Sequence, residues 1–314
     1  MPLLTVPNWS LGRERSVLRE AFDYLTAQPV TVHYAEADID HNRTVTAFSG
    51  TPENVREALL GLAAIFLPCI DLQRHSGVHP RIGGLDVCPF VPLPPLRSPG
   101  DENFSQDPPG HDAGNAGDLN RYIASVAQTL AETFQIPIFL YEHSAPGRDL
   151  PNLRKGGFGS LLDRTLSPDF GPNRAHPHLG ATVLGWRDFL VALNVNFPDA
   201  PGAVETMRLI ASQIRDKRRN GDPLFQGVRA LGLSLQAQGL CQLSMNITKP
   251  DAADFDSIVA FIEEKAAKHG IGDGYTQLIG VIRDTDVERS VKIFPRVEQI
   301  VPTRQATHWS EDWQ

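Results

Sequence analysis

The segment from Arg74 to Phe90, RHSGVHPRIGGLDVCPF, holds the residues of this chain that are best suited to chemistry. It combines two histidines with two arginines, and its glycines and proline prevent a regular helix. A helix is predicted before it, over 51–67, and a buried strand after it, over 85–91. A polar loop between two firm elements is a common place for catalytic groups. Because an imidazole has an unperturbed pKa of ~6.5, His79 is the candidate general acid and base.

The two histidines of this loop have the spacing of a zinc-binding helix, since His75 and His79 are four residues apart. Gly77 and Pro80 interrupt such a helix, and no glutamate follows His75 as the zinc motif requires. We therefore expect no metal here. The ordinary alternative for any loop histidine is a structural hydrogen bond.

Composition limits the class of protein. The chain has 314 residues, 21% charged side chains and a formal net charge of −8. This charge argues against a general nucleic-acid binder, and any anionic ligand must be met by a local cluster of basic residues. Three cysteines lie far apart, and the apolar pattern leads us to expect neither a signal peptide nor a membrane-spanning segment. We expect a reduced, cytoplasmic protein with no membrane partner.

Apolar periodicity predicts the same order of elements twice. The first half is expected to have strands over 3–6, 30–34, 43–49 and 85–91, and helices over 14–27 and 51–67. The second is expected to have strands over 189–196, 227–235, 239–247 and 277–281, and helices over 201–216 and 251–268. Both follow the order β-α-β-β-α-β. The predicted fold is α+β, with two ferredoxin-like subdomains side by side (1–184 and 185–314) and mixed sheets covered by helices on one face.

Three segments do not fit this repeat. A helix over 118–134 and a strand over 136–141 are predicted to extend the first sheet. Residues 92–116 are rich in proline, glycine and aspartate, which predicts a surface insertion. The segment 167–187 is predicted to join the subdomains and to contact a ligand, since binding sites often form at domain interfaces.

Several separated motifs, taken together, resemble the glutamate formimidoyltransferase family. They are VPNWSLGR near the N-terminus, DHNRTV at 40–45, the 74–90 loop, PDFGP at 168–172 and GATVLGWRDFLVALNVN at 180–196. The resemblance covers nearly the whole chain in order. The family also occurs as the N-terminal part of formimidoyltransferase–cyclodeaminases, but no residues remain here for a cyclodeaminase domain, so only the transferase activity is expected.

The resemblance implies transfer of a formimidoyl group between 5-formimidoyltetrahydrofolate and L-glutamate, as part of histidine breakdown and one-carbon metabolism. Tetrahydrofolate is then a co-substrate, no metal is implied, and a homodimer is expected. The family's catalytic histidine falls on His79. Its folate-contacting segment falls on Gly171, Pro172, Asn173, Arg174, Ala175, His176, Pro177, His178, Leu179 and Gly180.

Both substrates carry carboxylates, which a guanidinium binds through two parallel hydrogen bonds. The candidate arginines are Arg43, Arg74, Arg81 and Arg174. An acidic loop is predicted over 36–42, and one of its carboxylates is a candidate to orient His79 or to stabilise a cationic amidinium. The substrate-binding candidates are therefore Glu36, Asp38, Asp40, Asn42, Arg43, Arg74 and Arg81.

Three alternatives stay open at this point. One is a folate-binding paralogue without turnover. Another is a related transferase that uses glycine as acceptor or 5-formyltetrahydrofolate as donor. The last is a metal hydrolase, whose ligands would be His75, His79, His176, His178, Asp38 and Asp40.

Overall fold

The computed structural model describes residues 1–94 and 113–303, which form two main sheets with helices packed against them. The predicted α+β class is confirmed. The first sheet contains β1 (Leu3–Thr5), β2 (Asn8–Trp9), β3 (Thr31–Asp38), β4 (Arg43–Gly50), β5 (Leu85–Pro92), β6 (Ile138–Leu140) and β7 (Thr182–Trp186). The helices of this first half are α1 (Arg15–Thr26), α2 (Pro52–Phe66), α3 (Ala113–Phe134), α4 (Leu150–Leu153) and α5 (Gly159–Leu162).

The first sheet is mixed, as predicted. β1 and β2 lie end to end between β4 and β5 and are antiparallel to both, so that Trp9 faces Thr44 on one side and Leu85 on the other. β3 pairs with the outer edge of β4, whereas β7 and β6 continue the sheet beyond β5 as parallel strands. The first half thus carries a parallel extension on an antiparallel group of strands.

The strand β7 was missing from the sequence-based prediction, which treated 167–187 as a connector. Thr182–Trp186 is instead a fully buried strand between β5 and β6. A strand that is buried on both faces has no alternation of polar and apolar residues, so its period carries no signal. The predicted subdomain boundary after residue 184 falls inside this strand.

The second sheet has the order β11-β8-β10-β9, and every pair in it is antiparallel. The prediction of a mixed sheet is therefore wrong for the second half. Its strands are β8 (Val191–Pro198), β9 (Val228–Leu235), β10 (Leu240–Ile247) and β11 (Tyr275–Ile279), with helices α6 (Ala203–Arg219) and α7 (Phe255–Lys268). A parallel pair of β12 (Ile282–Arg283) and β13 (Ile300–Val301) follows, with the short helix α8 (Asp284–Val287).

The long helices of the first half cover one face of its sheet. Thr51 caps α2, since its hydroxyl accepts a hydrogen bond from the Asn54 amide at 3.3 Å. Phe66 of α2 stacks on Trp9 with ring centroids 4.9 Å apart, inside the main apolar cluster. The prediction of helices on one face is incomplete, because Leu161 of α5 packs with Val183 in a separate cluster. Strand alternation places Val183 on the opposite face of the sheet from its neighbours in the main cluster.

The remaining part of that opposite face contacts the second half. Val45 and Ala47 of β4 pack with Val281 and Val301 in one apolar cluster. The two halves therefore meet through the sheet face that the long helices leave uncovered. Within 1–94 and 113–303, no helix has the length and apolar character needed to cross a bilayer.

One predicted segment lies partly outside the described residues. Of the predicted insertion over 92–116, residues 95–112 are outside them, and α3 already begins at Ala113. The C-terminal residues 304–314 are outside them as well. The predicted acidic loop over 36–42 begins as strand, because β3 continues to Asp38.

Candidate functional site

The loop that carries His79 is fixed to the turn between β3 and β4 by Arg81. Arg81 Nη2 donates to the carbonyl oxygens of His41 at 2.6 Å and His79 at 3.1 Å, and Nη1 donates to that of Asn42 at 3.1 Å. The approach is so close that a Cβ on Gly77 would lie 2.3 Å from the His41 carbonyl. Arg81, a predicted substrate-binding residue, thus uses its donors to hold the loop.

Asp86, at the start of β5, fixes the other end of this loop. Its Oδ1 accepts hydrogen bonds from the amides of Ile82 at 2.7 Å and Gly83 at 3.3 Å. Its Oδ2 accepts one from Arg154 Nη2 and forms a buried ion pair with it. Arg154 was not among the predicted site residues, because it follows the four-residue helix α4 and reaches the site only through folding.

His79 lies partly buried at the centre of this arrangement. Its ring centroid is 5.7 Å from that of His41. Burial lowers the pKa of His79 well below its usual range, and the positive charges of Arg43 and Arg154 lower it further. No side-chain hydrogen bond to the His79 ring occurs among the described residues. The imidazole is therefore neutral at pH 7 and able to accept a proton.

His41, which the sequence analysis did not select, is buried beside it. Its Nε2 lies 3.2 Å from Gln242 Oε1 in the second half. Because an amide oxygen only accepts, Nε2 carries the hydrogen and Nδ1 is an acceptor. Nδ1 is buried and has no partner within the described part of the chain. Burial and the charge of Arg43 lower the pKa of His41 to about 4.

Gln242 belongs to a row of amide side chains on the second sheet. Its Nε2 donates to Asn196 Oδ1 at 2.8 Å, and Asn196 Nδ2 donates to Gln277 Oε1 at 3.0 Å. Gln242 and Asn196 are buried, although they lie on strands. Polar residues within otherwise apolar strands were the sequence signal for this row, but none of the three was among the predicted site residues.

Arg43, at the start of β4, is short of hydrogen-bond acceptors. Burial and the charge of Arg154 lower the pKa of Arg43 to about 10. Its Nε is buried and has no hydrogen-bond partner among the described residues, and the same is true of Arg154 Nε. We call the group of Arg43, Arg81, Arg154, His41 and His79 the basic cluster; Asp86 is the carboxylate bonded to it. In a chain with a net charge of −8, this cluster is a local concentration of positive charge.

The predicted acidic residues have other partners. Asp38 accepts from the His41 amide at 2.7 Å and from Gln238 Nε2 at 3.1 Å. Asp40 accepts from the Ala237 amide at 2.8 Å and from Gln238 Nε2 at 3.1 Å. Neither is hydrogen-bonded to His79 in this structure, so a role for either in orienting His79 or in stabilising a cationic amidinium stays a prediction. Both residues join the two halves.

Glu36 and Asn42 also have structural contacts. Glu36 accepts from the Tyr34 hydroxyl at 2.9 Å and pairs with Arg296. Asn42 has a positive φ of 43° and donates to the Ser76 carbonyl at 3.1 Å. Asparagine tolerates this backbone conformation better than most residues, which suits it to the turn before β4.

The remaining predicted loop residues divide by exposure. The side chain of Arg74 is 89% exposed and lies 3.8 Å from Asp71, so it points into solvent. Arg174 is exposed as well. His75 Nε2 lies 2.6 Å from Arg81 Nη1. Burial and the charge of Arg81 lower the pKa of His75 to about 4, so the ring is neutral at pH 7. The same Nε2 lies 2.9 Å from the Asn42 carbonyl oxygen, which only accepts hydrogen bonds.

The predicted folate-contacting segment, 171–180, folds back on itself and packs beside the loop of His79. His176 and Gly180 exchange two backbone hydrogen bonds of 2.9 and 2.8 Å. The Leu179 carbonyl accepts from the Gly84 amide at 2.8 Å. Leu179 is part of the main core, and a Cβ on Gly180 would lie 2.0 Å from the Ile82 carbonyl. The end of the segment is therefore packed against protein, whereas Arg174 and His178 are exposed.

No group of three or more histidine, cysteine, aspartate or glutamate side chains arranged to hold a metal occurs in residues 1–94 and 113–303. The histidines of the hydrolase alternative have other contacts. His176 Nδ1 accepts from the Leu179 amide at 3.0 Å, and His178 Nδ1 lies 3.0 Å from Asp71 Oδ1.

Comparison with known proteins gives a consistent result. The family described as "Formiminotransferase domain, N-terminal subdomain" matches residues 3–187. The formimidoyltransferase-cyclodeaminase of Sus scrofa is 32% identical over 290 residues, which cover 88% of this chain and 49% of that protein. The glutamate formimidoyltransferase of Streptococcus pyogenes serotype M1 is 30% identical over 285 residues, with 88% and 87% covered. That of Thermoplasma acidophilum is 30% identical over 288 residues, with 88% and 86% covered. The chain thus spans about half the length of the cyclodeaminase relatives.

Proposed function

This chain belongs to the formiminotransferase family, and we propose that it transfers a formimidoyl group between 5-formimidoyltetrahydrofolate and L-glutamate. The products in one direction are tetrahydrofolate and N-formimidoyl-L-glutamate. The observation that carries the proposal is the neutral imidazole of His79 within a basic cluster, in a chain whose relatives are named for this reaction. The substrates on both sides of the reaction are anionic, which suits such a cluster.

His79 acts in this proposal as the general acid and base. The glutamate amine attacks the amidine carbon, which forms the new C–N bond of a tetrahedral adduct. His79 takes the proton that this amine must lose. It then gives the proton to folate N5 as the C–N5 bond breaks and its electron pair remains on N5. Because its pKa is depressed, the imidazole is neutral at pH 7 and free to accept a proton, and its protonated form readily gives that proton to N5.

The charge of the substrate adjusts this proton transfer. Arg43 and Arg154 lower the pKa of His79 in the free protein. An anionic substrate that binds next to these arginines offsets their charge, which raises the pKa of His79 towards its ordinary range. His79 then becomes a better base when the substrate is bound than when the site is empty.

The other parts of the proposal concern ligands and organisation. Tetrahydrofolate is the co-substrate and contacts residues 171–180, which the packing of this segment beside the loop of His79 supports. Of the predicted arginines, Arg43 best suits a carboxylate, because its guanidinium has no acceptor in the described part of the chain. No metal is required, because the carbon is already activated and positioning with proton transfer suffices. The cytoplasmic location and the homodimer stay predictions, as does a role in histidine breakdown.

We also propose that each half is a ferredoxin-like unit. The strand orders β3-β4-(β1, β2)-β5 and β9-β10-β8-β11 support it, since each has the last strand of its β-α-β-β-α-β unit beside the first. The division between the units then lies between β7 and β8, at residues 187–190.

The test is an assay of purified protein with N-formimidoyl-L-glutamate and tetrahydrofolate. We expect clear turnover for the parent and a loss on the order of a hundredfold or more for His79→Ala, because acid–base assistance is removed. His269→Ala is the matched control, since His269 is exposed at the end of α7, and it should retain parent turnover.

The alternatives give different results in the same assay. A folate-binding paralogue would bind tetrahydrofolate without turnover. A related transferase would use N-formimidoylglycine or 5-formyltetrahydrofolate instead. Equal turnover by the parent and His79→Ala would remove this histidine from the mechanism.

A further inference from the structure

We propose that Arg43 and Arg154 together form the subsite for one carboxylate of the amino-acid substrate, beside His79. The proposal rests on the function above and adds Arg154, a residue without a role until now. Its consequence is that the pair selects the amino acid, whereas the folate is held by other residues.

Arg154 is held in place with part of its guanidinium unused. Its side chain is 14% exposed, and its Nη2 donates to Asp86, whose side chain is 5% exposed. Asp86 also accepts from the amides of Ile82 and Gly83, so three hydrogen bonds hold its carboxylate in place. Arg154 Nε is buried and has no acceptor in the described part of the chain. Asp86 therefore orients Arg154 and leaves donors for a second anion.

Arg43 has no carboxylate at hydrogen-bond or ion-pair distance among the described residues, and the charges of Asp38 and Asp86 act on it only from farther away. In residues 1–94 and 113–303, no hydrogen bond or ion pair engages its guanidinium, and its Nε is buried. A buried donor without an acceptor destabilises the folded protein, and the cost is larger when the donor is charged. The charges of Arg43 and Arg154 are also close enough to disfavour each other. A carboxylate between them would remove both penalties through charge-assisted hydrogen bonds.

The other arginines near His79 are already engaged. Arg81 donates to three backbone carbonyls of the loop and the turn before β4. Arg13 donates to the Ile39 carbonyl at 3.0 Å and to the Ser76 hydroxyl at 3.0 Å. Arg43 and Arg154 are thus the members of the basic cluster with donors left for a ligand.

The closeness of this subsite to His79 indicates whether its carboxylate belongs to the amino acid or to the folate tail. In an amino acid, the reacting nitrogen is separated from the α-carboxylate by a single carbon. In a reduced folate, the p-aminobenzoyl group separates N5 from the carboxylates of the glutamyl tail. A base that reaches the reacting nitrogen therefore lies near a carboxylate of the amino acid and far from those of the folate.

The variants Arg43→Gln and Arg154→Lys test this subsite in steady-state assays. We expect the KM for N-formimidoyl-L-glutamate to rise on the order of tenfold or more in each, as for the loss of a hydrogen bond between charged groups. The KM for tetrahydrofolate should change less than about twofold. Arg121→Gln is the control, because Arg121 on α3 has a side chain that is 81% exposed.

Both variants are chosen so that the protein folds. No carboxylate in the described part of the chain forms an ion pair with Arg43, so Arg43→Gln leaves none unpaired. Arg154→Lys keeps a positive charge beside the buried Asp86. Lysine cannot reproduce the planar, two-sided donor geometry of arginine, so Arg154→Lys still tests the subsite. Thermal unfolding of each variant should stay close to that of the parent.

Two truncated substrates show which carboxylate is bound. N-formimidoyl-L-glutamine keeps the α-carboxylate, and N-formimidoyl-4-aminobutyrate keeps the other. The substrate that lacks the bound carboxylate should have a low kcat/KM with the parent protein. For that substrate, Arg43→Gln should not lower kcat/KM further. An equal penalty on all three substrates would overturn the proposal. A rise in the KM for tetrahydrofolate alone would assign the subsite to the folate tail and would also overturn it.

Calorimetry with L-glutamate separates this proposal from the proposed function. If the parent lacks turnover but binds L-glutamate, and Arg43→Gln abolishes the binding, the subsite stands and the transferase proposal fails. If the parent turns over and Arg43→Gln binds L-glutamate with parent affinity, the transferase stands and the subsite fails.

Discussion

Two arginine clusters in this molecule differ in their supply of carboxylates. In the second half, Asp286 is 1% exposed and accepts from Arg283 Nε at 2.6 Å and from Arg289 Nη2 at 2.8 Å. Arg283 also donates to Asp251 at 2.8 Å. Burial lowers the pKa of Arg283, but the carboxylates reverse this effect, so its pKa is raised above the ordinary value.

The basic cluster of the first half has the opposite balance. Burial and neighbouring positive charges lower the pKa values of Arg43 and Arg81 to about 10. Asp86 is bonded to Arg154, whereas no described carboxylate pairs with Arg43. The difference teaches that the second-half arginines have their carboxylates within the folded chain, whereas the first-half arginines have donors to spare, which supports the proposal that an anionic ligand binds there. Perturbed groups of the latter kind mark functional sites.

The largest expected effect comes from breaking the second-half cluster. Asp286→Ala leaves Arg283 and Arg289 without their shared buried partner, and removing one member of a buried pair costs about 3–5 kcal/mol. Urea unfolding should show this loss, while the folded variant keeps parent turnover. Lys268→Ala, which removes an exposed ion pair with Glu264, is the control and should cost less than about 1 kcal/mol. A similar small loss for Asp286→Ala would contradict the comparison.

A smaller effect is expected from acid on the first-half cluster. His41 has a pKa of about 4 in the folded protein and ~6.5 when unfolded, so the unfolded chain binds its proton first as the pH falls. Stability from this group is complete above pH ~6.5 and is lost towards pH ~4, by on the order of 3 kcal/mol. Urea unfolding at several pH values should therefore give a shallower acid dependence for His41→Gln than for the parent. Identical slopes would show that burial of His41 is not linked to acid sensitivity.

The smallest expected effect sharpens the role of charge at His79. Arg43 lowers the pKa of His79. Arg43→Gln should therefore raise the apparent pKa of the acidic limb of the kcat/KM profile by roughly half a pH unit or more. Its free energy of unfolding should not fall, since the variant removes a buried charge that has no described carboxylate partner. Rate measurements between pH 4 and pH 8 check the shift. If the apparent pKa of this limb were unchanged or lower in the variant, Arg43 would not influence the group that transfers the proton.

Much of the fold could be predicted from local pattern. The apolar periods of α1, α2, α6 and α7 indicated the helices, and the observed helices begin and end within a few residues of the predictions, with Thr51 as the cap of α2. β7 was missed because it is short and buried on both faces. The all-antiparallel second sheet was also missed, because strand direction depends on how the strands pair and the sequence periods do not record pairing.

The candidate site was predicted only in part. The loop of His79 and the choice of Arg43 followed from residue types and spacing. Arg154, His41 and Gln242 were missed, because each lies in a different region of the chain. Arg81 and the predicted acidic residues were selected for their charge, but the folded chain uses them to fix turns and to join the two halves.

The sequence by itself determined which residues are capable of chemistry, which helix faces are buried and which family the chain resembles. These properties depend on residue type and on neighbours a few positions away. Only the tertiary structure decided which arginines have donors left for a ligand and which nitrogen of His41 carries its hydrogen. The reason is physical: burial and hydrogen-bond partners arise between groups far apart in the chain, such as His41 and Gln242, which are separated by 201 positions.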